Sequence, residues 1–219
     1  MYELILILVF GFVVFRAYNL DSHHEDDLPH KISTKVGKLW DIVHQGMREN
    51  RLLKAEKALL TILKIDERNA AAYNRLGILY ARQKEYKDAI DCFEIACSIE
   101  SSSSALHNLG LIYLETENYE KSATAFEEAL KLEDNVASRH IALAKVLEHL
   151  DHDKRVIEHL ERAKEIEPTK ENYRLLISAY RKYGHNDKAD ILEDKIKRLI
   201  EKKSKKHRFT VRRNKRLIA

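Results

Sequence analysis

The chain has 219 residues, of which 44% are hydrophobic and 34% charged, with a formal net charge of +4. It contains only two prolines and six glycines, and no segment shows a strand pattern, so an all-α fold is expected. Its two cysteines suit no disulfide framework. Cys92 and Cys97 lie on nearly opposite sides of one predicted helix, and two reduced thiols fit the cytosol.

The chain begins with an apolar stretch that we interpret as a single-pass membrane anchor. Residues 4–15 have no polar side-chain atom, and with their flanks the stretch 1–20 approaches the roughly 20 residues that a bilayer requires. A cleaved signal peptide fits less well, because Glu3 replaces a basic start and no Ala-x-Ala cleavage site follows. A soluble cap helix also fits less well, since such a helix should be amphipathic.

Charge beside the apolar stretch predicts its orientation. Arg16 and Lys31 follow the stretch, whereas no Lys or Arg precedes it. The positive-inside rule therefore leaves the rest of the chain in the cytoplasm and the protein in the cell membrane. Residues 21–35 form a polar linker, read as an extended tether because of its polar side chains and Pro29. Its three histidines are interpreted as solvated, since no companion cysteine or ordered scaffold holds a metal geometry.

From residue 36 onward a pattern recurs every 33 or 34 residues. The segment 73–80 reads Tyr-x-x-Leu-Gly-x-x-Tyr, and 107–113 reads His-x-Leu-Gly-x-x-Tyr. The second half of each copy contains the corresponding residues Tyr86, Ala89, Phe93 and Ala96, then Tyr119, Ala123, Phe126 and Ala129. Gly or Ala at the closest approach of two helices and large residues between them predict stacked helical hairpins.

Weaker copies extend the pattern in both directions. The predicted solenoid, 36–200, divides into repeats at 36–69, 70–102, 103–136, 137–169 and 170–200. Departures from the pattern cluster in the first and last repeats, as expected of capping units. Gly46 stands where an aromatic residue is usual, while Val43 and Ile177 replace the small residue.

This spacing resembles that of the tetratricopeptide repeat (TPR) family. The resemblance implies an all-α, right-handed superhelical solenoid of about five helical hairpins, here preceded by an N-terminal transmembrane helix. It also implies a scaffold or adaptor that binds a protein or peptide in a concave groove and performs no chemistry itself. The anchor-then-repeats layout is similar to that of bacterial membrane-anchored repeat proteins.

In the family, the first helix of each repeat lines the groove. Carried over to this sequence, the partner-binding positions are Trp40, His44, Arg48, Asn74, Ile78, Arg82, His107, Leu111, Leu114, Glu115, Ile141 and Lys145, followed by His149, Arg174, Ser178 and Arg181. Aliphatic residues mixed with Arg, His and Asn suit an extended or helical protein segment. A clamp for chaperone C-termini is not expected, because Trp40, His44 and Ile78 stand where it would need Lys or Asn. Trp40 either contacts a partner or packs against the start of the solenoid.

Basic residues are concentrated at the C-terminal end. Residues 195–219 contain twelve Lys or Arg and one acid. Within the basic tail, 201–219, the candidate contacts to anionic lipid or nucleic acid are Lys202, Lys203, Lys205, Lys206, Arg208, Arg212, Arg213, Lys215 and Arg216. Lipid is favoured, because the anchor keeps the tail near the membrane; phosphate contacts to nucleic acid and a merely solvated tail stay open.

No catalytic, cofactor or metal site is expected. The sequence has no Gly-rich phosphate loop, Cys-x-x-Cys or Gly-x-Ser-x-Gly. His149, His152 and His159 lie close in sequence but are interpreted as surface residues of charged helices. The favoured interpretation is thus a non-enzymatic, membrane-tethered adaptor. Alternatives are a nucleic-acid-associated protein, an exported envelope repeat protein and self-association through an imperfect terminal repeat.

Overall fold

A computed structural model describes residues 33–198, and within them the chain is entirely helical apart from turns and connections. The helices are α1 (33–48), α2 (Leu52–Ile65), α3 (Ala70–Gln83), α4 (Tyr86–Ile99), α5 (Ser103–Glu115), α6 (Tyr119–Leu132), α7 (Ala137–His149), α8 (Asp153–Ile166), α9 (Lys170–Lys182) and α10 (186–198). The predicted all-α fold is therefore confirmed. The predicted anchor, the first part of the linker and the basic tail lie outside the described residues.

Between residues 33 and 198, every helix is too short or too polar to cross a bilayer. The predicted transmembrane helix, 1–20, is not among the residues described and stays a prediction. The superhelical handedness that the resemblance implies also stays a prediction.

Contacts divide the described chain into two units, and the division falls inside α3 between Leu79 and Tyr80. The N-terminal unit contains α1, α2 and most of α3. The C-terminal unit contains the last turn of α3 and all later helices.

The N-terminal unit is built on the hairpin of α1 and α2. Val43, Leu59 and Ile62 are fully buried, and Gly46 lies where the two helices meet. A Cβ atom at Gly46 would lie 3.0 Å from Cβ of Ala55. This close approach explains why a glycine occupies the position where an aromatic residue was expected.

In the C-terminal unit, successive helices pack against one another along the chain. Helix α4 contacts α5, α6 contacts α7, and α8 contacts α9, while α5/α6 and α7/α8 form hairpins. The main core cluster extends from α6 to α10 and includes the fully buried residues Phe126, Leu143 and Leu147 beside the small residues Ala123 and Ala144. Small and large residues therefore alternate across the helices as the repeat pattern predicts.

The hairpin of α5 and α6 shows how tight this packing is. A Cβ atom at Gly110 would lie 2.8 Å from the ring of Phe126, which is fully buried. Ser122, also fully buried, donates its hydroxyl hydrogen to the carbonyl oxygen of Gly110 at 2.7 Å. Ser122, and not the expected Ala123, lies 33 residues after Ala89 and occupies the matching place in the hairpin.

Each hairpin turns in the same way. Five residues have a left-handed backbone, with φ between 55° and 80°, and they recur at the spacing of the repeat: Asn50, Lys84, Glu117, Asp151 and Gly184. In every turn the next residue donates its N–H to a carbonyl five residues earlier, at 2.7–3.0 Å, as in His152 to Leu147. This bond is the one that closes a Schellman motif at a helix C-terminus.

The two glycines at 110 and 37 provide a matched test of this packing. Gly110→Ala should lower the free energy of unfolding by about 1–3 kcal/mol, because the added methyl meets a rigid ring in a filled core. Gly37→Ala should raise it by roughly 0.5–1 kcal/mol, because Gly37 is exposed within α1 and a Cβ there meets nothing within 4 Å. Urea denaturation of the full chain measures both. A Gly110→Ala variant as stable as the parent would contradict the packing described.

Candidate functional site

The structure places three of the six predicted groove residues of the last two repeats around one cavity in the C-terminal unit, whereas His149, Arg174 and Arg181 do not line it. Ile141 and Lys145 of α7 and Ser178 of α9 line it together. The predicted residues on α5 are also accessible to different degrees: Leu111 is 40% exposed and Leu114 is half-buried. Leu114 and Ile141 are partly buried and both pack against the main core cluster, so the core holds these apolar side chains of α5 and α7 in place.

The cavity lies between α7, α8 and α9 and has a volume of about 320 Å³. Its apolar lining is formed by Ile141, Ala144, Val156, Leu160, Leu175 and Ala179, and its polar lining by Lys145, Glu148, Ser178 and Lys182. Small residues on both α7 and α9 leave space that α8 does not fill. The volume is at the lower end of the range of ligand-binding pockets.

The charges at the cavity differ in their pairing. Lys182 donates to a carboxylate oxygen of Glu148 at 2.5 Å, and this bond raises the pKa of Lys182. On the same helix, Arg181 is held by Asp190 and Glu193 of α10, at 3.1 and 3.0 Å. Lys145 is exposed and has no ion-pair partner among residues 33–198. Its charge is therefore the one at the cavity that a ligand can use.

The predicted groove residues of the first two repeats belong mostly to the N-terminal unit. Trp40 is half-buried, and its ring stacks on His44 one helical turn later, with 5.8 Å between centroids. Arg48 is exposed, and Ile78 is half-buried, as is Asn74. In the C-terminal unit, Arg82 and Glu115 are exposed.

His107 has a packing role that the sequence did not reveal. Its ring lies 5.3 Å from that of Phe126, and its Nδ1 is buried without a hydrogen-bond partner among the described residues. Burial, with a smaller effect of Arg139, lowers the pKa of His107. In the repeat pattern, His107 was aligned with Tyr73. Leu106, which is buried and lies 33 residues after Tyr73, occupies that position instead.

His159 is half-buried, whereas the sequence predicts a surface residue, and it contacts another histidine. Its Nδ1 lies 3.0 Å from Nδ1 of buried His140, whose Nε2 lies 2.9 Å from the carbonyl oxygen of Asp134. A carbonyl only accepts, so His140 donates from Nε2 and accepts at Nδ1 from His159. His149 and His152 are exposed, and His149 stacks on Tyr119 at 4.4 Å. Among residues 33–198, no three His, Cys, Asp or Glu side chains are grouped to hold a metal ion.

Two tyrosines join successive hairpins through bonds that sequence reasoning missed. Tyr113 donates to Glu94 at 2.7 Å, and Tyr180 donates to Glu161. Burial and the Glu94 carboxylate raise the pKa of Tyr113 to about 12. In each pair the acid precedes the tyrosine by 19 residues, and this spacing is a signal that could have been read from the sequence.

A buried arginine ties the start of α7 to the preceding connection. Arg139, only 8% exposed, bridges to the Glu133 carboxylate at 2.7 Å and donates to the Ser103 hydroxyl at 3.1 Å. The hydroxyl of Ser103 in turn donates to Glu133. The bonds that Glu133 accepts from Ser103 and Arg139 lower its pKa.

These features are those of a helical-hairpin repeat protein. Residues 70–103 and 103–136 each match a family model described as "Tetratricopeptide repeat", which supports the resemblance found in the sequence. A comparison of the sequence with curated proteins gives no match.

Several solved structures resemble the chain over most of its length. A MamA crystal structure is 23% identical, with a TM-score of 0.66, and the match covers 75% of this chain and 97% of that one. MamA from Desulfovibrio magneticus RS-1 is 15% identical, with coverages of 76% and 96% and a TM-score of 0.67. YrrB, described as a TPR protein with an unusual peptide-binding site, is 20% identical, with coverages of 70% and 80% and a TM-score of 0.60. At these identities the likeness shows a shared fold.

The histidine pair gives the C-terminal unit a testable dependence on pH. Burial, the neighbouring His140 and Arg155 lower the pKa of His159 below its ordinary value near 6.5, while Glu158 and Glu127 oppose them. The unfolded chain therefore binds more protons, and this contribution to stability is present above about pH 6.5 and is lost as the pH falls below it.

His159→Gln should remove this dependence. Between pH 7.5 and 5.5, the unfolding free energy of the variant should fall less steeply with pH than that of the parent. The difference between the two slopes should correspond to less than about one bound proton. His152→Gln, at an exposed histidine next to α8, should keep the parent slope. Urea denaturation at a series of pH values measures all three chains. A slope in His159→Gln as steep as that of the parent, or steeper, would contradict the lowered pKa of His159.

Proposed function

We propose that this protein is a TPR scaffold that binds a segment of a protein partner along the first helices of its hairpins. The observation that carries the proposal is the cavity between α7, α8 and α9, where predicted groove residues meet an apolar lining beside Lys145. An apolar cleft with a few polar groups at its edge is the usual form of a ligand-binding site.

Two further observations support the proposal. The exposed Leu111 and the half-buried Leu114 extend an apolar surface along α5, and α5 contacts α7 directly. YrrB, which shares the fold, is described as having a peptide-binding site. A hydrophobic surface anchored in a rigid helical scaffold binds a ligand at little cost in conformational entropy.

We also propose that residues 1–20 hold the scaffold at the cell membrane with its repeats in the cytoplasm. The support for this part is the apolar sequence of 4–15 and the basic residues that follow it. Recruitment of a cytosolic partner to the membrane surface is the role that such an arrangement serves.

The groove can be tested with two exposed leucines. Peptides selected from a displayed random library on the full-length chain should bind Leu111→Asp about tenfold or more weakly, because a charge replaces part of the apolar surface. Leu132→Asp, at a leucine that is 53% exposed near the end of α6, should bind them as the parent does. Fluorescence polarisation gives each dissociation constant. Loss of binding in Leu132→Asp alone would move the site to the second helices and contradict the proposal.

The tether can be tested with one charge in the apolar stretch. Val9→Arg should shift the chain from the membrane to the soluble fraction, since an arginine at the centre of a bilayer costs about 2.5–3.5 kcal/mol. Glu25→Arg, in the linker, should leave it bound. Repeats of the parent chain that resist protease added outside spheroplasts would agree with a cytoplasmic position. Digested repeats would reverse the orientation, and a soluble parent chain would remove the anchor.

A further inference from the structure

We propose that the cavity between α7, α8 and α9 receives the apolar side chain of an acidic-hydrophobic segment of a partner protein, and that a carboxylate of this segment pairs with Lys145. This inference rests on the proposed function, because it names the chemistry of the ligand at the same groove. Two independent observations carry it: the apolar lining of the cavity and the pairing of the charges around it.

The lining determines which side chain enters. Ala144 and Ala179, on facing helices, are too short to fill the space above Val156 and Leu160. Ile141 and Leu175 on the walls are half-buried. The hydroxyl of Ser178 is the small polar group at the exposed side of α9. A leucine, methionine or phenylalanine side chain placed there would remove apolar surface from water on several sides, and this burial favours binding.

The charges around the cavity determine which residue of the ligand lies beside that apolar side chain. Glu148 is already satisfied by Lys182, and Arg181 is held by the two acids of α10. Lys145 thus offers the charge without a partner among the described residues. A segment with an acidic residue beside its apolar one is attracted, and a basic segment is repelled.

Substitutions at the exposed positions Lys145 and Ser178 separate these two contributions. Lys145→Glu reverses the charge, and Ser178→Leu fills the mouth of the cavity. Lys154→Glu and Ser98→Leu make the same changes at exposed positions on second helices and serve as matched controls. Thermal denaturation checks that each variant is folded as the parent chain is.

The experiment selects a displayed random peptide library on the full-length parent chain and separately on full-length Lys145→Glu. Peptides selected on the parent should be enriched in Asp or Glu next to Leu, Met or Phe, and those selected on Lys145→Glu should carry Lys or Arg instead. Synthetic peptides of the parent set should bind Ser178→Leu and Lys145→Glu about tenfold or more weakly, and the two controls unchanged.

Three outcomes overturn the inference. If the peptides selected on the parent are not enriched in Asp or Glu, or if those selected on Lys145→Glu have the same charge, the proposed pairing of a carboxylate with Lys145 is wrong. Binding that Leu111→Asp weakens but Lys145→Glu and Ser178→Leu do not would leave the proposed function standing and this inference refuted. Binding insensitive to all three variants would refute both.

A fourth outcome concerns this chain's own residues 25–28, Glu-Asp-Asp-Leu, which have the same chemistry as the proposed ligand. If neutralising these acids with Glu25→Gln, Asp26→Asn and Asp27→Asn raises the affinity for the parent-selected peptides, the occupant is this chain's own segment, and the assignment to a separate protein is wrong. Unchanged affinity supports the separate protein.

Discussion

Two helices of a hairpin can approach only as closely as the side chains at their crossing permit, and the rest of this protein depends on that constraint. In α5/α6 the crossing residue is Gly110, which lies directly on the ring of Phe126. In α7/α8 Ala144 is buried at the corresponding place, and its short side chain also lines the cavity toward α9. Small residues that let the two helices of a hairpin approach closely therefore also leave space beside the next helix. The candidate binding site is a consequence of this helix packing.

The sequence predicted the helices and their period well because both follow from the spacing of apolar residues, which is local information. It was less accurate about which residue occupies a given place. Leu106 and Ser122 fill the places assigned to His107 and Ala123, because an aromatic and an alanine look more diagnostic in a sequence than leucine and serine do. In the structure, the hydrogen bond of Ser122 to Gly110 makes serine a good substitute for alanine at a buried position.

The candidate site could be predicted in part for the same reason. Positions along a first helix can be counted, so Ile141 and Lys145 were identified before their surroundings were known. Contacts between elements could not be counted in this way. The pairing of His140 with His159, and the capture of Glu148 by Lys182 across 34 residues, depend on how side chains of different hairpins meet. The availability of Lys145 was therefore visible only in three dimensions.

The turns within the hairpins have a consequence for how such a chain can grow. Each turn is closed by a backbone hydrogen bond spanning five residues, and in four of the five turns the left-handed position is held by a residue other than glycine. The turn thus makes little demand on side chains and none on distant parts of the chain. A gene that gained or lost one whole hairpin would carry its own turn with it, so the length of the scaffold can change over evolution by complete repeats without new turn chemistry.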